Sequence, residues 1–186
     1  MTDEATERRR NTLNVRIVLA ASIYIGTILL ANWLITRYGF VSVGFGLVAP
    51  AGVYAAGLSF SARDWLHELT GRWFVMAAIV AGAALSWFIS PTFAVASGVA
   101  FLASETADLA VYTPLRERRK YTALIASNIV GSVVDSLLFL WLAFGSIRFW
   151  QGQVIGKCWT ILPALALMFL WQHRLSLRVR ASEVAA

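Results

Sequence analysis

Residues 92–112 read TFAVASGVAFLASETADLAVY, an apolar run whose only charged side chains are Glu105 and Asp108. A helix of about 20 such residues crosses the hydrocarbon core of a bilayer, which is about 30 Å thick. A charged side chain at that depth costs about 2.5 to 3.5 kcal/mol. The run therefore predicts a transmembrane helix, and its two acids need an ion pair or a ligand to compensate them.

The whole chain has the composition of an integral membrane protein. Of its 186 residues, 59% are hydrophobic and 14% charged, whereas soluble domains have about 45–50% and about 25%. Apolar runs predict an all-α fold in which six transmembrane helices cross the lipid bilayer as one domain of residues 12–175. Residues 1–11, polar and charged, are expected to be a disordered cytoplasmic N-terminus, and residues 176–186 a cytoplasmic tail. The predicted spans are Arg16–Thr36, Phe40–Phe60, Arg72–Ser90, Thr92–Tyr112, Ala123–Gly145 and Val154–Gln172.

The basic residues predict the orientation of these helices. Of the 16 Lys and Arg residues, 13 lie before the first span, in the second and fourth connections, or after the last span. The positive-inside rule then places both termini in the cytoplasm. The net charge of +6 follows from this topology. No nucleic-acid partner is expected, because the basic clusters lack interleaved aromatic residues and lie at helix ends.

Pro50, with Gly52 and Gly57 close by, interrupts the second predicted span. Proline removes a backbone donor and clashes with the preceding helical turn. The interruption is either a packing kink or a broken helix whose backbone is exposed to a ligand. A kink is the preferred interpretation, because no second interrupted helix stands at the matching position of the other half.

More polar residues lie within the fifth and sixth predicted spans. Asn128 and Asp135 are seven residues apart and share one helix face. Glu105 and Asp108, three apart, also share a face, and Lys157 lies in the last span. These stripes cannot face lipid, so they form either a structural network around Lys157 or a cavity for a polar solute. Three acids against one lysine leave a surplus of acid, which favours ligand or proton handling.

The connection Ser59–Gly71 is predicted to contain a short amphipathic helix. Asp64, His67 and Glu68 gather on one side of it, and Gly71 is its predicted C-terminal cap. Two interpretations stay open. The three polar side chains form a candidate gate for a ligand, or the helix lies at the membrane interface with its apolar residues in the headgroup boundary, namely Trp65, Leu66 and Leu69.

Catalytic and metal-binding motifs are missing from the sequence. It has no Gly-rich phosphate loop and no HExxH, and both His67 and His173 lie at membrane boundaries, away from any serine or cysteine that they could orient. The single Cys158 rules out an internal disulfide and a CxxC pair. We therefore expect no enzymatic activity, no catalytic residue, no metal and no cofactor.

An ordered set of short motifs covers nearly the whole chain. It comprises Asn32 in the first span, GLVAPAG at 46–52 followed by Asp64 and Gly71, SETAD at 104–108 with Val111-Tyr112, Ser127-Asn128, Asp135-Ser136 with Phe139, AFG at 143–145 and Gly156-Lys157. In order and spacing this set resembles the queuosine precursor transporter family, also called the vitamin uptake transporter (VUT) family.

The resemblance implies a multi-pass carrier of the cell (inner) membrane that imports 7-deazaguanine bases such as preQ0 or preQ1, which are used to make the tRNA nucleoside queuosine. Asp64 falls on a polar position of the family, and Glu105 stands where some relatives have Gln. The substrate-binding residues that the resemblance implies are Asn32, Glu105, Asp108, Asn128, Asp135 and Lys157.

The chemistry of a nucleobase-like substrate fits these residue types. A guanine-like ring offers adjacent N–H donors that one carboxylate can accept as a pair, and an O6 acceptor that suits Lys157 or Asn128. A planar ring also favours stacking on aromatic side chains. The candidates for stacking are Trp33, Phe101, Phe139 and Trp141.

Two other functions stay open at the level of the sequence. One is a substrate-binding membrane subunit for a vitamin-like small molecule, working with a separate ATP-driven module. The other is a membrane interaction protein that transports nothing. The small residues of 81–84 would suit docking of the ATPase module, and they equally suit ordinary helix packing. The expected protein partner is such an ATPase module or a second copy in a homo-oligomer.

Overall fold

The computed structural model describes residues 2–116, 120–160 and 163, and these residues form a helical bundle with one β-hairpin. Helix α1 is followed by the hairpin of β1 and β2 and then by the helices α2, α3, α4 and α5. A last helix, α6, is described over residues 150–160. The bounds of the other elements are α1 Thr2–Tyr38, β1 Phe40–Gly44, β2 Leu47–Pro50, α2 Val53–Thr70, α3 Arg72–Ser86, α4 Pro91–Arg116 and α5 Lys120–Phe144.

Three of the described helices are long and apolar enough to cross a membrane. They are Arg10–Tyr38 in α1, Pro91–Leu115 in α4 and Ile125–Phe144 in α5. The shorter apolar helix Arg72–Ser86 corresponds to the third predicted span. The prediction of a helical membrane protein is confirmed. The count of six spans and the cytoplasmic termini stay predictions, and the last predicted span extends beyond the described part of α6.

Helix α1 differs from its prediction at the N-terminal end. It begins at Thr2, so residues 2–11, which were expected to be disordered, continue the helix. The physical reason lies in helix cooperativity, because each residue added to a nucleated helix gains one hydrogen bond without a new nucleation step. The apolar segment that follows supplies that nucleus.

The second predicted span is wrong in its first half, where the chain forms the β-hairpin. Phe40 pairs with Pro50 and Ser42 with Val48 across two antiparallel strands. The turn has left-handed backbone at three successive residues, Gly44, Phe45 and Gly46. Pro50 ends β2, a position at which its missing N–H is tolerated, so it is neither a helix kink nor a helix break.

One face of the hairpin packs against the helical bundle, whereas its turn is exposed, with Phe45 at 81% exposure. Val43 and Ala49 are buried and pack with Val53 at the start of α2, and the Ala51 N–H donates to Gly39 O at 2.8 Å. At membrane depth, strands are tolerated only where their backbone groups are satisfied and covered by protein. The hairpin meets that condition on the side that faces the bundle.

Helix α2 starts late and therefore continues through the segment that was predicted to be a loop with a short helix. It ends at Thr70, and Gly71, with φ of 83°, donates its N–H to His67 O. The predicted C-cap is thus confirmed. The interfacial interpretation is wrong, because Leu66 is fully buried in the main core, with Trp65 and Leu69 packed against it.

Two glycines allow α6 to approach its neighbours closely. A Cβ at Gly57 would lie 2.8 Å from Lys157 O, and one at Gly152 would lie 2.1 Å from Val48 O. The Trp159 Nε1 also donates to Val43 O at 2.9 Å. These contacts hold α6 against α2 and the hairpin, and they place Lys157 at the centre of the bundle.

Candidate functional site

A cavity lies where α1, α4, α5 and α6 meet the end of the hairpin and the start of α2. It leaves about 30 Å³ for the centres of water molecules, so water can enter it. The walls are mainly apolar, with a small number of polar side chains. The lining residues are Ala31, Asn32, Ile35, Pro50, Gly52, Val53, Ala56, Ser97, Phe101, Asp135, Phe139 and Gln153.

The polar side chains of this cavity include a hydrogen-bond acceptor that has no donor in the described part of the chain. Asn32 Nδ2 donates to Ser97 Oγ at 3.1 Å, which fixes the orientation of the Asn32 amide. Gln153 is 4% exposed, and within the described residues its Oε1 has no hydrogen-bond partner. A buried polar atom of this kind is normally satisfied by water or by a ligand. The cavity therefore suits a solute that donates hydrogen bonds.

Asp135 belongs both to the cavity and to a buried ion pair. The Lys157 ammonium bonds to Asp135 Oδ2, to Ser136 Oγ at 2.7 Å and to Ser132 O at 3.3 Å. An ammonium has three donors, so all three have an acceptor. The side chains of Lys157 and Asp135 are 0% and 5% exposed. The pair fixes one carboxylate at the cavity wall.

A second group of charges surrounds Arg63, and we call it the Arg63 cluster. Nε and Nη2 of Arg63 donate to Asp64 Oδ1 at 3.0 and 2.7 Å. Its Nη1 lies 3.0 Å from Glu105 Oε2, and its Nη2 lies 3.8 Å from Asp108 Oδ1. Nη2 also donates to Asn128 Oδ1 at 3.3 Å. The Arg63 guanidinium thus forms ion pairs with three carboxylates.

This arrangement corrects the charge count made from the sequence. Arg63 is buried, at 5% exposure, and it supplies a second cation beside Lys157. Sequence reasoning placed it in a connection because the second span was assigned too far toward the N-terminus. The described interior nevertheless holds four acids against two bases, so a surplus of acid remains, and it is concentrated in the Arg63 cluster.

The aromatic ring of Phe60 lies between the two cations. Arg63 Cζ is 5.1 Å and Lys157 Nζ is 5.5 Å from its centroid, which are cation–π distances. Phe60 also meets Phe101 edge to face, with 6.4 Å between centroids. A smaller cavity of about 10 Å³ adjoins both rings and is lined by Tyr24, Ser59, Phe60, Arg63, Phe101 and Ser104.

The residues that were predicted to form one polar site are therefore divided between the cavity and the Arg63 cluster. Ser97 in the cavity and Glu105 in the cluster are eight residues apart on α4, which is about 12 Å along a helix, and Phe101, which also lines the cavity, lies between them. Asn32 and Asp135 lie at the cavity, and Lys157 holds Asp135. The residues that lie instead in the Arg63 cluster are Asp64, Glu105, Asp108 and Asn128.

The remaining candidates have separate positions. Of the candidate gate residues, only Asp64 contacts the Arg63 cluster through an ion pair, His67 is half-buried and Glu68 is exposed. Phe101 and Phe139 line the cavity. Trp33 and Trp141 are 46% and 59% exposed, so they lie on the outside of the bundle and do not stack on a ligand there.

Gln153 and Ser97 were missed by sequence reasoning. Gln153 precedes Lys157 by four residues, so the two side chains share one face of α6. That spacing was a signal that could have identified Gln153. Ser97 had no such signal, because serines in membrane helices commonly bond to their own backbone, as Ser97 also does to Ala94 O.

Ionisable side chains buried within membrane helices mark the pathways of substrates, ions or protons in many membrane proteins. Residues 89–173 match the family described as "Putative vitamin uptake transporter". The match confirms the resemblance inferred from the sequence, and it indicates transport of a small molecule across a membrane. It covers α4, α5 and the described part of α6, with Asp135 and Lys157. No curated protein and no solved structure matches the chain.

Proposed function

We propose that this protein imports a queuosine precursor, a 7-deazaguanine base such as preQ0 or preQ1, across the cell (inner) membrane as a multi-pass carrier. The observation that carries the proposal is the composition of the cavity. It combines one carboxylate, two side-chain amides and two phenyl rings, which together suit a planar, amide-bearing heterocycle.

Each of these groups has a counterpart on such a base. The Asp135 carboxylate accepts adjacent N–H groups of the ring edge, in charge-assisted hydrogen bonds. The amides of Asn32 and Gln153 carry both donors and acceptors, so they suit the O6 acceptor and a further N–H. Phe101 and Phe139 offer apolar faces to the ring plane. Lys157 positions Asp135 and does not itself contact the base.

The size of the cavity indicates a contracted conformation. A space of about 30 Å³ for the centres of water molecules is less than a bicyclic base needs, so the walls have to separate when the base binds. One wall is formed by Pro50, Gly52 and Val53, where the hairpin joins α2. We propose that this junction moves outward to admit the base.

The test is uptake of radiolabelled preQ0 and preQ1, first by cells and then by purified protein in proteoliposomes. Gln153→Leu removes the amide while keeping similar volume, and loss of one hydrogen bond from a buried site should weaken binding by about 1–3 kcal/mol, or about 5- to 150-fold. The matched control is Gln151→Leu, an exposed glutamine two positions earlier on α6, which should behave as wild type.

The outcomes separate the candidate functions. Normal uptake by Gln153→Leu at normal protein level would mean that the base binds elsewhere. Absence of uptake by the purified protein, together with binding of the base and co-purification of an ATPase, would favour the substrate-binding subunit. Absence of both binding and uptake would contradict the proposed function.

A further inference from the structure

The Arg63 cluster contains more negative charge than its one cation can balance. Arg63 makes two hydrogen bonds to Asp64, and this pair is neutral. Glu105 and Asp108 then add two carboxylates to the same guanidinium, at 3.0 and 3.8 Å. With every group ionised, the cluster has a net charge of −2 at a depth where even one unbalanced charge is unfavourable.

In the described part of the chain, one oxygen of each of these two carboxylates also lacks a hydrogen bond, although the Asp108 side chain accepts one from Ser127. Within the described residues, Glu105 Oε2 and Asp108 Oδ1 are buried atoms without a hydrogen-bond partner. Glu105 is 1% exposed, and its Oε2 points at the cluster, because it lies 3.0 Å from Arg63 Nη1. A protonated carboxyl carries an O–H donor that a neighbouring carboxylate can accept. One proton therefore removes a charge and supplies the missing donor together.

From these observations we propose that Glu105 and Asp108 form a proton site, which takes up a proton from outside, carries it with the imported base and releases it on the inner side. The inference rests on the proposed transport function and adds its energy source. A proton fits better than a metal cation, because the described residues contain no group of three His, Cys, Asp or Glu side chains arranged to hold a metal ion.

The ring of Phe60 connects the proton site to the base cavity. Phe60 contacts Arg63 on one side and Lys157 on the other, and Lys157 holds the Asp135 carboxylate of the cavity. Protonation of the cluster weakens the electrostatic attraction between the carboxylates and Arg63. The guanidinium is then free to shift, and this changes its cation–π contact with the Phe60 ring. The smaller cavity beside Arg63 leaves about 10 Å³ for the centres of water molecules, and a water there would be able to exchange a proton with the neighbouring groups.

Several other groups surround the proton site and influence its charge. The partly exposed Asp64 is not part of the proton site, because it is the carboxylate to which Arg63 donates twice. Around Glu105 the titratable and charged groups of the packed elements are Tyr24 of α1, Arg63, Asp64 and His67 of α2, Asp108 of α4, Asp135 of α5 and Lys157 of α6.

The experiment uses the full chain in proteoliposomes, with labelled preQ1 and an acidic outside medium. For one proton per base, each pH unit of gradient supports at most about tenfold accumulation. We expect the wild type to accumulate preQ1, to lose accumulation when a protonophore is added, and to make the outside medium more alkaline as the base enters. Exchange of internal for external preQ1 needs no net proton movement, so it serves as the second measurement.

The decisive variant is the double substitution Glu105→Gln with Asp108→Asn, which leaves the neutral Arg63–Asp64 pair in place. It should lose gradient-driven accumulation and the pH signal, while exchange falls less than about threefold, because neither substituted residue lines the base cavity. Glu105→Gln alone provides a second test, should the double variant not be recovered in folded form. The exposed Glu7 supplies the control Glu7→Gln, which should behave as wild type.

The results distinguish this inference from the proposed function. A wild type that neither exchanges nor accumulates preQ1 would contradict the proposed function and, with it, the coupling. Wild-type accumulation that persists with the protonophore would overturn proton coupling alone. Gradient-driven accumulation at the wild-type level by the folded double variant, or by Glu105→Gln where only that variant folds, would overturn the assignment of the proton to these residues.

Discussion

The Asp135–Lys157 pair and the Arg63 cluster are both buried charge groups, but they differ in balance. In the first, one acid meets one base, and every donor of the ammonium has an acceptor. In the second, three acids share one guanidinium, and two carboxylate oxygens lack a hydrogen bond within the described residues. The balanced pair can hold a carboxylate in position for a ligand, whereas the unbalanced cluster has capacity for a further positive charge.

The largest effect on stability is expected from breaking the balanced Asp135–Lys157 pair. Lys157→Met leaves the Asp135 carboxylate buried without a counter-charge, which typically destabilises a protein by about 3–5 kcal/mol. We expect low abundance and a lowered thermal transition in detergent, measured by fluorescence-detected size exclusion. Combining Lys157→Met with Asp135→Asn should restore abundance without restoring uptake.

A matched double variant tests the specificity of that rescue. Lys157→Met with Glu105→Gln removes a different acid and should stay unstable, because Glu105 belongs to the other charge group. Equal rescue by both double variants would mean that the two groups act as one network, and the comparison between them would fail.

An intermediate effect is expected from Asp135→Asn alone. The Asn oxygen can still accept from Lys157, and Ser136 and Ser132 keep their contacts with the ammonium, but the counter-charge is lost. We expect a destabilisation of about 1–3 kcal/mol, together with loss of base binding in equilibrium measurements on the folded fraction. Full wild-type stability would show that Lys157 does not depend on this carboxylate.

The smallest effect on stability is expected from Glu105→Gln, although it is the same acid-to-amide change. This substitution lowers the surplus of negative charge around Arg63 and keeps an acceptor for it, so stability should change by less than about 1 kcal/mol. Side-by-side thermal unfolding of Glu105→Gln and Asp135→Asn checks the difference. If Glu105→Gln were the more damaging of the two, the cluster would be the structural lock and the pair would not.

Sequence reasoning was most successful for the long apolar helices. The spans around α1, α4 and α5 follow from length and composition, because a bilayer requires about 20 apolar residues in succession. It failed at residues 40–50, where an apolar run fits a buried strand as well as a helix. Gly39, Gly44 and Gly46 were signals for turns there, since all three have left-handed backbone.

The failure at the hairpin explains the main error in the predicted site. Once α2 was assigned as ending at Phe60, Arg63 was placed in a connection and the interior charges were counted without it. The stripes on α4 and α5 were predicted from spacing, which is a local property. Which acid Lys157 contacts depends on how α5 and α6 pack, and sequence spacing within one helix contains no information about that.

The separation of the two members of the balanced pair along the chain has a consequence for biosynthesis. Asp135 and Lys157 are 22 residues apart, and at typical synthesis rates of about 5–20 residues per second Lys157 follows after about 1–4 s. Asp135 thus leaves the ribosome ahead of the residue that supplies its counter-charge. The nascent protein must therefore delay the closing of its interior until the last helix arrives, which makes α6 the element that completes assembly.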